Sequence, residues 1–337
     1  MENISYAPIL RWKKGEQLAL RELTTRIENN ISLIPIIELV EDVTSTHFLT
    51  TLKSNYSGSI FLDTSRIDVN NELLNEIIEK ATQMGLNVWP LLYSDDVLNN
   101  FLTFTSISPR IAIRLPIPED FDSVSNADII SYIAAHKDQS SIDLILDTGE
   151  ILNQKSANEA YIAYNNVLSL TNLSSIFNQI FICLTSFPSN IEVESGGTIS
   201  YNRYDMKLFK RLTEVHSDLN LGYSDYGVTK FTELEYDFSK FQYGILPKIK
   251  YTSADYYYIL KGAKDHRQGI FTKSTIDMCK EIVTSSYFSG SPFSYGDKII
   301  FEKATIPGIG PGNNPQWVTY CTNHHLAFVM EQLSTLI

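Results

Sequence analysis

Apolar residues in this chain gather into short runs that stop at a charged side chain: Ile34-Pro-Ile-Ile-Glu38, Ser59-Ile-Phe-Leu-Asp63, Arg110-Ile-Ala-Ile-Arg114, Ile142-Asp-Leu-Ile-Leu-Asp147 and Leu219-Asn-Leu-Gly-Tyr-Ser-Asp225. Runs of this length, separated by helix-length segments, are the pattern of strands buried on both faces of a parallel sheet. Eight strands are predicted, over 6–10, 33–38, 59–63, 88–93, 111–115, 142–147, 180–185 and 219–223. Between them the segments 17–27, 47–52, 72–84, 97–104, 128–135, 158–168 and 204–215 repeat apolar residues at the three-to-four spacing of an amphipathic helix. Pro8, Pro35 and Pro90 count against three of the strands, because proline cannot donate to a ladder.

Eight alternating β/α repeats predict an α/β fold of the closed (β/α)8, TIM-like barrel type over residues 1–228. An open doubly wound sheet more often has about five or six strands and a glycine-rich first turn, and neither GxGxxG nor GxxxxGK[ST] is present. After Gly227 the rhythm changes. Phe231, Tyr236, Phe238, Phe241 and Tyr243 crowd together, and 248–252 and 256–260 flank Ser-Ala-Asp like a hairpin. Segments 276–283 and 325–336 read as helices, the last placed to close the ring as the eighth barrel helix. Residues 229–337 are thus expected to form an addition packed on the barrel.

The length of 337 residues accommodates one barrel of about 250 residues plus that addition. A net charge of -12 disfavours general nucleic-acid binding, which needs clustered Lys and Arg. From Lys240 to Lys280, however, eight basic residues stand against three acidic ones. That stretch suits a solvated face first and an acidic protein partner second. The three cysteines are widely spaced with no CxxC pair, as in a reducing compartment. The first residues lack the pattern of a signal peptide, and no apolar window reaches membrane-span length, so a soluble cytoplasmic protein with no membrane partner is expected.

In a barrel of this order Lys13, Glu38, Asp63, Arg114, Asp147 and Asp225 fall at or just past strand carboxyl ends and converge on one mouth. A single Asp there also serves as a helix cap, but Glu38 and Arg114 are not preferred caps. Three chemistries fit the set. Glu38 and Asp63 can ligate Mg²⁺ or Mn²⁺ while Arg114 and Lys13 bind a phosphate. Two carboxylates can act as general acid and base. Lys13, if buried beside Arg11, can act as an amine nucleophile. Spacing does not choose among them, and the number of carboxylates places metal-assisted chemistry first.

Pro188-Ser-Asn and Ser195-Gly-Gly-Thr198 either expose backbone N–H groups to an anion that Arg203, beside Asp205, can reach, or form a plain loop. Cys321-Thr-Asn-His-His-Leu326 puts a thiol and two imidazoles within five residues. A helix start capped by Thr322 or Asn323 is preferred there over a zinc site, although His325 can point into the mouth if this helix closes the barrel. The nineteen tyrosines are read as core before stacking platforms.

The opening from Tyr6-Ala-Pro-Ile-Leu-Arg-Trp-Lys-Lys-Gly-Glu-Gln-Leu-Ala-Leu20 through Ile34-Pro-Ile-Ile-Glu38 resembles the start of the beta protein family, named after a bacteriophage T4 protein. The likeness continues through Arg203-Tyr-Asp205, Ser224-Asp-Tyr-Gly227, Ile249-Lys-Tyr-Thr252, Phe293-Ser-Tyr-Gly-Asp297 and Asn323-His-His-Leu326, and covers nearly the whole chain. Before Asp225 the chain reads Gly-Tyr-Ser where the family pattern has an aromatic and a glycine. The resemblance implies a barrel-like fold and a phage–host conflict or antiviral setting, and it assigns no reaction. It directs attention to Lys13, Glu38, Asp63, Arg203, Asp205, Asp225, Tyr226, Asp297 and His325.

The resulting expectation is a barrel-mouth enzyme acting on a small phosphorylated or nucleotide-like ligand. Lys13, Glu38, Asp63, Asp147, Asp225 and Tyr226 are its candidate catalytic residues, and Arg114, Arg203, Asp205, Tyr251, Asp297 and His325 its candidate ligand-binding residues. The rival is a non-catalytic protein that binds a ligand at the mouth or docks a protein partner on the addition.

Overall fold

The computed structural model describes residues 4–23, 31–67, 71–118, 125–137, 140–229, 246–265, 267 and 269–336. The aromatic stretch from Phe231 to Tyr243 and the predicted end of the first helix lie outside the described residues. In chain order the first part contains β1 (Ser5–Tyr6), β2 (Ile9–Arg11), α1 (Lys14–Arg21), β3 (Ser32–Leu33), β4 (Ile36–Glu38), α2 (Ser45–Asn55), β5 (Ile60–Asp63), α3 (Asn71–Gln83), β6 (Val88–Leu92) and α4 (Ser94–Ile107). There follow β7 (Arg110–Pro116), α5 (Asn126–His136), β8 (Ser141–Glu150), α6 (Gln154–Leu168), α7 (Leu173–Ile176), β9 (Gln179–Thr185), β10 (Thr198–Asn202), α8 (Tyr204–Val215) and β11 (Leu221–Ser224). The remainder holds β12 (Lys248–Thr252), β13 (Tyr256–Lys261), β14 (Ala263–Asp265), β15 (Ile270–Lys273), α9 (Thr275–Thr284), α10 (Tyr295–Thr305) and α11 (Asn314–Ser334).

Among the described residues, ten strands form one curled, barrel-like parallel sheet in the order β2-β4-β5-β6-β7-β8-β9-β11-β1-β3. The prolines explain why some of its strands are short. Pro8 separates β1 from β2 and Pro35 separates β3 from β4, yet each still accepts through its carbonyl, Pro8 from the Ile36 amide at 2.9 Å and Pro35 from the Phe61 amide at 2.9 Å. Pro90 lies inside β6, opposite Leu62 of β5.

Both faces of the sheet are apolar, and the two-residue alternation of a strand sorts them. Ile9, Ile36, Phe61, Leu91, Ala112, Ile145 and Phe181 form one cluster, whereas their strand neighbours Leu10, Ile37, Leu62, Leu92, Ile113, Leu146 and Ile182 pack in another with the helices. Gly222 on β11 makes the first cluster fit: a Cβ there would stand 2.6 Å from Cδ1 of Phe181. Gly222→Ala is therefore expected to destabilise by about 1–3 kcal/mol through overpacking. Urea denaturation tests this, and an unchanged midpoint would mean that the Phe181 ring moves aside freely.

The predicted hairpin is present, with Tyr251 opposite Tyr258, and β10 completes it as a three-stranded antiparallel sheet in the order β10-β13-β12. Segment 198–202, which the apolar pattern assigns to no element, forms β10, and its alternating Ile199 and Tyr201 pack on the core beneath that sheet. The last helix starts earlier than predicted, at Asn314, because Asn313 caps it by accepting from the Gln316 amide at 3.0 Å and Pro315 suits its first turn. Asn323, His324 and His325 are accordingly mid-helix, and the reading of Thr322 or Asn323 as a cap is corrected. α11 spans two cores: Trp317, Tyr320 and Cys321 pack under the small sheet, and Leu326, Val329, Met330 and Leu333 pack with the main one. Among the described residues no helix is long and apolar enough to cross a membrane.

Candidate active site

Near their carboxyl ends β4, β5, β7 and β8 carry Glu38, Asp63, Arg114 and Asp147, and Arg114 joins them. Its Nη2 lies 2.6 Å from Asp147 Oδ2, which Nε also reaches at 2.9 Å. Its Nη1 stands 3.5 Å from Asp63 Oδ2 and 3.7 Å from Glu38 Oε1. Two phenols bridge cation and carboxylate. Tyr93 accepts from Arg114 Nη1 at 3.1 Å and donates to Asp63 at 2.7 Å, while Tyr226 accepts from Nη2 and donates to Asp147 at 2.6 Å. Three carboxylates around one guanidinium leave an excess of negative charge, and Arg66 offsets part of it from 3.0 Å at Glu38 Oε2. Arg66, with 19% of its side chain exposed, forms the solvent-facing edge of this group, since Glu38, Asp63 and Arg114 are buried.

Burial, and after it the charge of Asp63, pushes the Glu38 carboxyl above its ordinary value against the pull of Arg66 and Arg114. Burial also raises both phenols, so Tyr93 and Tyr226 remain donors. For Arg114 burial works against the charge, but Asp147, Tyr226, Tyr93 and Cys183 outweigh it. Asp63 meets donors on both oxygens, the Ser65 amide at 2.9 Å and the Tyr93 hydroxyl, as suits a carboxylate. The arrangement sets a carboxyl whose hold on a proton is strengthened beside one surrounded by donors, which is the pattern of an acid–base pair.

A second network runs behind this group. Asp225, just after β11, accepts from the Tyr6 hydroxyl at 2.9 Å and the Gly227 amide at 3.0 Å, and lies 3.0 Å from His325 Nε2. The chain turns there through Gly227, whose φ of 59° favours glycine. His325 Nδ1 is 2.9 Å from the Thr252 hydroxyl. His324 contacts Asp297 through Nδ1 at 2.8 Å, and its Nε2 lies 2.8 Å from the Thr252 carbonyl, which can only accept, so Nε2 donates. Tyr251 donates to Asp297 at 2.6 Å and stacks on His324 with centroids 3.9 Å apart. Burial pushes Asp225 and Asp297 up, but the facing histidines, helped by hydrogen bonds from Gly227 and Tyr6 to Asp225 and from Ser294 and Tyr251 to Asp297, more than offset it and hold both carboxyls below their ordinary values.

The structure thus brings together Glu38, Asp63, Arg114, Asp147 and Tyr226 in one group, Asp225 with His325, Tyr251 with Asp297, and Arg203 with Asp205. It does not bring in Lys13, which is 55% exposed and 3.6 Å from Glu41, so the buried-amine reading is corrected. Arg114 is engaged by carboxylates, and Arg203 is wholly buried with its Nε 3.4 Å from Asp205 Oδ1; neither presents its charge to an anion at the mouth. The turn at 195–198 uses its donors internally, Gly196 to the Gly262 carbonyl and Gly197 to that of Glu194. Cys321 accepts from the Lys250 amide, apart from the two histidine pairs.

Among the described residues no group of three or more His, Cys, Asp or Glu side chains is disposed to hold a metal ion. Glu38 and Asp63, the expected Mg²⁺ or Mn²⁺ ligands, already share the Arg114 guanidinium, so the donor set does not fit a cation. The sequence reading passes over Tyr93, Arg66, Tyr6 and Thr252 as site residues and considers His324 only as a zinc ligand. Tyr93 ends the fourth predicted strand and Arg66 lies three residues past Asp63, so both could have been found by extending the search beyond charged run-ends.

The family model described as Beta protein matches residues 6–331, a span that contains every candidate residue above. No curated protein matches the chain.

Proposed function

The chain belongs to the Beta protein family, and on the geometry of its strand-end group we propose an enzyme that works by proton transfer, with Glu38 as the acid–base group and Asp63 as its charged neighbour. We read the curled sheet as a closed (β/α)8 barrel in which β1 with β2, and β3 with β4, are halves of two proline-broken strands. The pairing of β1 with both β11 and β3 supports this reading. The barrel occupies residues 1–228 and the addition 229–337, with β10 lent by the first to the sheet of the second. The ligand is small, polar and nucleotide-like, and any phosphate it carries is met at the rim by Arg66 rather than by Arg114. The setting is the cytoplasmic conflict between phage and bacterium that the family resemblance implies.

The observation that carries the reaction type is Glu38: a carboxyl kept above its ordinary value next to Asp63, at the end of the sheet where parallel α/β folds place their chemistry. A panel of nucleosides, nucleotides and sugar phosphates, read by thermal shift and by product formation in NMR, tests it. Wild type and Glu38→Gln are both expected to bind the same ligand, and only wild type to convert it. Mg²⁺ or Mn²⁺ alone is expected to leave the melting temperature unchanged. Binding without turnover in wild type would instead support a non-catalytic binding protein, and turnover surviving in Glu38→Gln would remove Glu38 from the chemistry.

A further inference from the structure

Arg203 immediately precedes α8 and lies wholly buried between the ends of β1 and β11 and the three-stranded sheet. Its Nη1 donates to the Ser253 carbonyl at 3.1 Å and to Gln332 Oε1. Its Nε has only the longer approach of Asp205 Oδ1, and neither Nε nor Nη2 completes a hydrogen bond. The hydroxyl of Tyr223 on β11 is also buried without a partner. Of the five such buried side-chain atoms among the described residues, three therefore belong to these two side chains. Natural interiors leave few polar groups in that state, because each forfeits its hydration with no return.

Arg203 and Tyr223 lie near enough to act on each other electrostatically. Tyr257 lies under the guanidinium, with Cζ 5.1 Å from its centroid, and donates to Asp205 at 2.6 Å. Tyr223 stacks on Tyr6 with centroids 5.8 Å apart, and the Tyr6 hydroxyl leads to Asp225. Asp205, Asp225 and Tyr257 each act electrostatically on both Arg203 and Tyr223.

We propose that Arg203 and Tyr223 together hold one enclosed water molecule, which accepts from Arg203 Nη2, hydrogen-bonds the Tyr223 hydroxyl and donates to Asp205 or Asp225. The chemistry of the walls selects this occupant. A small anion would add a like charge beside two carboxylates that face a single guanidinium, and a cation would meet the guanidinium itself. Anything larger has no way in, since Tyr6, Arg203, Asp205, Tyr223 and Asp225 show no exposed surface. A water has the two to four polar partners it needs. It joins the Asp225–His325–Thr252 chain to the Asp205–Tyr257 pair, making one continuous polar seam between the parallel sheet and the added one. The site is separate from the Arg114 group and does not depend on the reaction proposed there.

The experiment combines a crystal structure at a resolution that shows ordered water with the variant Tyr223→Phe. A density peak at about 2.6–3.2 Å from both Arg203 Nη2 and the Tyr223 hydroxyl is expected. An anomalous peak at that position after a bromide soak would make the occupant an anion and overturn the proposal, as would the absence of any peak with Arg203 and Tyr223 paired to protein atoms. The variant decides by sign. If the hydroxyl bonds to water, Tyr223→Phe lowers the melting temperature by about 2 °C; if the hydroxyl is a true orphan, its removal raises the melting temperature, and the proposal fails.

Discussion

Arg114→Leu is expected to lose about 3–5 kcal/mol of stability at pH 7.5, the range for removing one partner from a buried ionic group. The cause is specific: the substitution leaves Glu38, Asp63 and Asp147 together without the cation that lies within 3.7 Å of all three. The sign of the pH dependence follows. Without Arg114 the folded state favours protonated carboxyls, so their folded values rise above the unfolded ones. The deficit is then complete at neutral pH and shrinks as pH falls toward the carboxylate range. Urea denaturation of wild type and variant at pH 7.5 and pH 5 measures both effects. A loss below about 1 kcal/mol at pH 7.5, the scale of a surface pair, would show that water reaches the group and screens it. Arg114→Lys is expected to recover only part of the loss, because one ammonium cannot reproduce the paired Nε and Nη2 contacts to Asp147.

The opposite sign is expected at Glu16, in the first turn of α1. Burial pushes its carboxyl up to about 7, against the lowering effects of its own backbone and of Lys250, Arg11 and Lys13. A folded value raised above the unfolded one means that Glu16 favours folding when protonated. That contribution is complete below about pH 4.5 and is lost as pH rises through 7. Glu16→Gln removes the charge and keeps the shape, so it is expected to stabilise the protein by about 3 kcal/mol at pH 8 and to have little effect at pH 4. Thermal or urea unfolding across that range provides the measurement. A variant less stable than wild type at pH 8 would mean that the ionised carboxylate holds the neighbouring cations in place.

The strand ends were legible in the sequence because a buried parallel strand is apolar over most of its length, so a charged residue that closes an apolar run stands out. Glu38, Asp63, Arg114 and Asp147 announced themselves in this way. What the spacing could not say was which charges would meet. Arg114 and Arg203 read as receptors for an anion, but contacts between distant segments gave both to carboxylates of the chain itself. Lys13 failed for a local reason: it occupies the position before α1, where the side chain turns outward. β10 and α10 were missed because their apolar positions face a small sheet assembled from distant segments, so no continuous run marks them. The prolines gave the right warning about local pairing: Pro8 and Pro35 interrupt strands that nevertheless remain in the sheet.

The contact between Tyr6 and His325 joins residues 319 positions apart. A nascent chain therefore cannot complete the surroundings of β1 until α11 has been made. Tyr6 and Asp225 must wait for His325, and α1 must wait for α11, against which it packs. Pairings of such high contact order form slowly and leave apolar strand edges open in the meantime. A ribosome stalled before α11 has emerged would hold a chain in which β1 and α1 still lack the helix that covers them, so their native surroundings are completed only once α11 docks.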